Sequence, residues 1–278
     1  MMIIKTFKTT IFNIIRSFTF WLIIGVLSIV SIHSTIEGFY LGDNNPAFVL
    51  DYQSYVQCFV NSLAAKLLMY AFPVFTVVTA VLILNRDYND KFFEIEKAAN
   101  IKPSVYLLGR LLAIFTINFI VLLLTNLLCM YWYVFTRGGV DGLTSWQVIS
   151  ETFVRVLRVD IFIGIPNLLF YIGITYFIGT VFKNGLPAAI TSIAYIIAFY
   201  AGNLMFRNQI SEDYFNYYSP IPRKLRYYFH YYDTEWFEDT LKRFNTSLKD
   251  VMFCAMFLIG CMILCSLISY INIRRRNL

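Results

Sequence analysis

The stretch richest in chemically capable side chains is residues 85–110, NRDYNDKFFEIEKAANIKPSVYLLGR. Asp87, Asp90 and Glu94 alternate with Lys91 and Lys97 at spacings that place opposite charges three or four residues apart. That pattern suits a solvated helix carrying i,i+3 and i,i+4 pairs. Phe92, Phe93 and Ile95 interrupt the charge. Aromatic residues on a charged, water-facing helix suit a docking surface for a protein partner. The same side chains would equally suit the lipid interface, or packing against neighbouring helices. Pro103 then fits the first turn of a following helix, where its missing N–H costs nothing.

Elsewhere the catalytic repertoire is thin. The two histidines, His33 and His230, lie far apart. The five cysteines, Cys58, Cys129, Cys254, Cys261 and Cys265, are odd in number and show no CxxC spacing. Thiols placed in or beside apolar runs are expected as packing residues, not as metal ligands or a disulfide framework. No GxxxxGK[ST] loop offers to cradle a nucleotide phosphate. No HExxH or GxSxG motif is present. Nucleophilic catalysis needs a nucleophile beside a base, and metal catalysis needs a ligand cluster. The expectation is therefore a chain with no catalytic residues, no cofactor and no metal site.

The elements that position the 85–110 stretch are apolar. Of the 278 residues, 58% are hydrophobic and 14% charged, against roughly 25% charged in an ordinary soluble domain. The apolar residues fall in long uncharged runs. A membrane-crossing helix needs ~20 such residues, because each rises ~1.5 Å through a ~30 Å core. Six runs qualify: 18–38, 67–84, 111–135, 161–182, 186–206 and 251–273. The expected fold is all-α, a polytopic membrane protein with six transmembrane helices in a single domain spanning 18–278.

Residues 1–17 precede the first run. Ile4, Phe7, Ile11, Ile14 and Phe18 recur at steps of three and four, with Lys5, Lys8 and Arg16 off that stripe. This predicts an amphipathic helix lying in the cytoplasmic membrane interface. The long first run and the lack of an A-x-A-like site favour an uncleaved anchor over a signal peptide.

Orientation follows the Lys/Arg bias of short loops. With the N-terminus inside, the inner segments hold twelve bases against four acids, and the outer ones eleven against thirteen. Both termini are expected in the cytoplasm, with Arg274-Arg275-Arg276 as the strongest anchor. The net charge of +6 thus serves topology, and no nucleic-acid partner is expected.

Pro73, Pro166 and Pro187 fall within the runs and predict kinks. No run holds an acid or base at mid-depth, whereas ion-coupled pumps usually carry one there. Glu37, Lys66 and Asp160 sit at predicted outer ends and read as snorkelling surface charges. If the protein moves a substrate, its energy is expected from another subunit.

The segment 207–250 is dense in Tyr, Trp and Phe, including Tyr217 and Tyr218. It reads as an aromatic belt beneath an outer-surface helix; a lid or exit site for an amphipathic cargo is the sharper reading. The basic RKLR run, 223–226, fits this outward placement least well.

In its order of elements the whole chain resembles the permease subunits of ABC-2 type transporters. That family has an interfacial helix before the first span, six spans, an acidic amphipathic coupling loop between the second and third, and a Gly-Lys or Gly-Arg pair opening the third. The matching features are the 4–15 stripe, the 87–97 helix, Pro103 and Gly109-Arg110. Asp90-Lys91-Phe92 stands where the family loop often carries a glycine turn, a departure from the pattern. The resemblance implies an exporter in the plasma membrane, paired with a second permease copy or a similar subunit. A separate ABC ATPase would dock at Phe92, Phe93, Glu94, Ile95 and Ile101 in the coupling loop. A membrane scaffold or sensor subunit without transport activity is the alternative.

Overall fold

The structure is a computed structural model that describes residues 2–29, 72–89, 102–144, 150, 153–154, 157, 160–182, 184–205, 217–218, 224 and 247–276, without the side chains of 89, 129–144, 199–205 and 276. Helix is the only regular structure among these residues. The helices are α1 Met2–Ile15, α2 Phe18–Ile29, α3 Phe72–Asn89, α4 Pro103–Thr144, α5 Ile165–Phe182, α6 Gly185–Met205 and α7 Leu248–Arg276. A π-helical turn, Asp160–Gly164, leads directly into α5.

Local sequence explains the helix starts. Pro103 opens α4, and the Lys102 carbonyl accepts from the Val105 and Tyr106 amides. The Asn184 side chain accepts the Leu186 amide at 2.9 Å and so caps α6. Pro187 therefore sits in a capped first turn, where its ring is tolerated, and the kink expected there is not needed. Ser247 and Asp250 cap α7 reciprocally: Asp250 Oδ2 accepts the Ser247 amide at 2.7 Å, and Ser247 Oγ accepts the Asp250 amide at 3.3 Å. This is the geometry of a capping box.

Among the described residues three helices are long and apolar enough to cross a membrane: Pro103–Leu128, Asp160–Phe182 and Leu248–Arg275. Helices α1 and α2 pass the same test only as a pair, and they are bent by 65° at their junction. Trp21 Nε1 donates to the Ile15 carbonyl at 2.7 Å, satisfying one end of α1 at that bend. The buried face of α1 is Thr6, Thr10 and Ile14. The stripe expected from sequence only partly coincides with it: Ile4 is 59% exposed and Phe18 79%.

Contacts between helices fix their relative directions. At the start of α5, Asp160 meets Asn126 of α4. Near its end, a Cβ on Gly179 would come within 2.5 Å of Leu84 on α3, close to where Asp87 of α3 meets Arg110 of α4. Helix α5 is therefore antiparallel to α4 and parallel to α3. Helix α7 runs parallel to α5, because Gly173 lies against Met262 and Thr180 against Ser269, seven residues further along each. The helix ends that carry Arg86, Lys102, Arg274 and Arg275 consequently gather on the Arg110 side of the bundle. The core between them is apolar, with Phe72, Phe75, Leu84, Ile114, Leu168 and Leu258 fully buried or nearly so.

Small side chains let the helices approach, and hydroxyls and amides join them. Thr175 donates to Ser192 at 3.3 Å, and Asn118 Nδ2 donates to Thr79 Oγ1 at 2.8 Å. Such contacts are the usual adhesive where lipid removes the hydrophobic drive for helix association.

Candidate functional site

Helix α4 carries a polar residue every four or eight positions on its buried face: Tyr106, Arg110, Asn118 and Asn126. The two ends of this face meet two buried carboxylates.

At the first end, Arg110 Nη2 donates to Asp87 Oδ1 at 2.7 Å, and each side chain is only 1% exposed. Arg110 Nη1 donates to Thr10 Oγ1 of α1, also at 2.7 Å. The guanidinium lies 5.0 Å from the centre of the Tyr106 ring, a cation–π contact. A planar fork of donors is what lets one arginine serve two acceptors on different helices at once. Gly109 makes the approach of α1 possible. A Cβ there would stand 2.9 Å from Thr6 Cβ and 3.3 Å from the Ile3 carbonyl oxygen. The Gly-Arg pair is thus one device: the glycine admits α1 and the arginine ties it to α3 and α4.

This overturns one expectation. Asp87 was expected on a solvated helix. It is instead buried on the last turns of α3, because Arg110 faces it and offsets its charge. Paired charges are the form in which Asp and Arg are found buried.

At the second end, Asn126 Nδ2 donates to Asp160 Oδ1 at 2.6 Å. Both residues are buried, Asp160 completely. Asp160 was expected as a snorkelling surface charge; the π-helical turn points it into the bundle instead. Among the described residues its Oδ2 has no hydrogen-bond partner, and neither has Asn126 Oδ1. The sequence signal was available in the asparagines: Asn118 and Asn126 interrupt an apolar run at helical spacing, and such amides need partners.

The predicted docking residues Phe92, Phe93, Glu94, Ile95 and Ile101 lie outside the described residues, as do Glu37, Lys66 and most of 207–250. Of that last segment, Tyr217 donates to Asp250 Oδ1 at 3.1 Å, and Tyr218 packs edge-on to Phe257 with centroids 5.2 Å apart. Lys224 is buried, with its ammonium 5.9 Å from the Tyr217 ring centre. Cys254, Cys261 and Cys265 are free thiols. Among the described residues no group of three or more His, Cys, Asp or Glu side chains is placed to hold a metal ion.

Neither a protein-family model nor a curated protein matches this chain. The fold and the buried polar contacts define a helical bundle of the kind that sits in a membrane.

Proposed function

We propose that this chain is the membrane-spanning permease subunit of an ATP-driven transporter of the ABC-2 type, crossing the plasma membrane six times with both termini in the cytoplasm. A separate ATPase subunit docks on the loop between α3 and α4, and a second permease copy or similar subunit completes the path. Export is the direction that the family resemblance implies.

The observation that carries this reading is the Thr10–Arg110–Asp87 contact. A motor outside the membrane must turn a push on a loop into a tilt of helices. A loop whose flanking helices were free of each other would simply flex. Here Asp87 lies just before that loop and Arg110 just after it, and the two are ion-paired. Thr10 adds α1 to the same joint. A push on the loop is then delivered to three helices as one body. Gly109-Arg110, one of the features behind the family resemblance, builds that joint. The basic helix ends on the Arg110 side suit a cytoplasmic face.

The test is purification of the tagged chain from its native membranes in mild detergent, with labelling of any co-purified subunit by a photoreactive ATP analogue. A labelled ATPase is expected with the natural chain. Phe93→Asp is expected to insert normally and to lose that subunit together with the ATP hydrolysis of the preparation. Unchanged co-purification would overturn the docking residues. Absence of a nucleotide-binding subunit from the natural complex would overturn the transporter reading and leave a scaffold or sensor.

A further inference from the structure

Asp160 plays no part in the coupling joint. It sits at the opposite end of the bundle, at the head of a helix long and apolar enough to span a membrane. An ionised carboxylate without a counter-charge is costly to bury, by several kcal/mol. A structural carboxylate at a helix start normally offsets this by accepting backbone N–H groups. Among the described residues Asp160 has one hydrogen-bond donor, the neutral amide of Asn126. Its second oxygen is fully buried and has no partner among the described residues. The backbone beneath it is a π-helical turn, a form that recurs at functional sites. Pro166, just beyond that turn, has no N–H to give back to it.

Among the described residues no nearby charge relieves this carboxylate. Among the described elements those packed most against the turn are α4 and α5. Among the described side chains the buried ionisable groups on α4 are Tyr106 and Arg110. Arg110 lies sixteen residues from Asn126, ~24 Å along the helix, and is engaged with Asp87. On α5 they are Tyr171 and Tyr176, the nearer eleven residues from Asp160, ~16 Å along the helix. Helix α7 begins at the same end of the bundle, but Lys249 is exposed and Asp250 is held by Ser247 and Tyr217. Lys224 faces the Tyr217 ring.

From this geometry we infer that Asp160, oriented by Asn126, is a proton-exchanging carboxyl group of the membrane domain. The proton adds at Oδ2, the oxygen that no donor faces, while Oδ1 keeps its bond from Asn126. The carboxylate plus one proton gives the neutral acid, and release reverses it. Acids enclosed in membrane bundles serve as proton or ion sites. The inference stands apart from the ATPase reading, since it needs neither the loop nor a partner subunit.

The test is infrared difference spectroscopy of the full chain in lipid vesicles, stepped reversibly through pH. A C=O stretch of a protonated carboxylic acid is expected to rise and fall with pH. It should shift when aspartate is labelled with 13C at the side-chain carboxyl, vanish in Asp160→Asn and persist in Asp250→Asn. Absence of a titrating band from the natural chain, or its survival in Asp160→Asn, would overturn the assignment. Should Asp160→Asn fail to fold, Asp160→Glu carries the test: an altered band supports the inference, and an unchanged one overturns it. Replacing choline with sodium at fixed pH should leave the band intact. Its loss would mean that the carboxylate holds sodium, and would overturn the proton assignment.

Discussion

The two ends of the buried polar face of α4 place the same chemical group in different company. Asp87 and Asp160 are both enclosed by helices, and each bonds to a side chain of α4. Asp87 meets a guanidinium that also reaches Thr10. Asp160 meets one neutral amide, and its other oxygen has no partner among the described residues. Burial of a carboxylate is therefore not by itself a mark of function. The partner decides: a counter-charge makes Asp87 a fastener, and its lack makes Asp160 a group that can change state.

The largest expected effect breaks the fastener. Arg110→Leu leaves Asp87 buried without its cation, a change that typically costs about 3–5 kcal/mol. The variant should show a large loss of thermal stability in detergent, or fail to accumulate in the membrane. Replacing both residues with leucine removes the stranded charge and should recover most of that loss, because a buried pair and a packed apolar pair are often nearly equal. If the double variant is as unstable as the single, charge neutralisation is not what Arg110 supplies, and the contrast between the two ends collapses.

Much of this arrangement was legible in the sequence, but unevenly. The helical class and the apolar runs of α4, α5 and α7 follow from hydropathy, which reports a bulk solvent preference and needs no tertiary contact. Pro103 marked the start of α4 for a local steric reason. Gly109-Arg110 stood out as a pair, yet its purpose depends on Thr6 and Thr10, a hundred residues away. Asp87 was misplaced because its spacing to Lys91 satisfies a surface helix as well as its actual contact with Arg110 satisfies a core. Asp160 was misplaced because an acid at the end of an apolar run usually reaches water. Only the π-helical turn, which no composition rule predicts, directs it inward. The polar face of α4 was readable as spaced asparagines, and became informative only once their partners were known.

A middle-sized effect sharpens the fastener end. Gly109→Leu inserts a side chain where even a Cβ would stand 2.9 Å from Thr6. Overpacking of this sort costs about 1–3 kcal/mol, and the strain should fall on the α1 contact. Spin labels on exposed Lys8 and Leu112 should move apart in the variant, as read by pulsed electron resonance. An unchanged distance would show that α1 is held by something other than this close approach and the Arg110 bond.

The smallest expected effect supplies the scale for both ends. Asn118 Nδ2 shares its protons between Thr79 Oγ1 and the Ile114 carbonyl, each at 2.8 Å. Neither partner is charged, and the amide keeps its backbone acceptor when the threonine is lost. A double-mutant cycle of Thr79→Val and Asn118→Leu should therefore give a coupling of about 0.6 kcal/mol, the average for hydrogen bonds between membrane helices. Measured by the same unfolding assay as the Arg110 and Asp87 cycle, it should come out several-fold the smaller. Equal couplings would mean that a neutral bond fastens these helices as well as an ion pair does. The amide of Asn126 would then be a sufficient partner for Asp160, and the distinction between the two carboxylates would lose its physical basis.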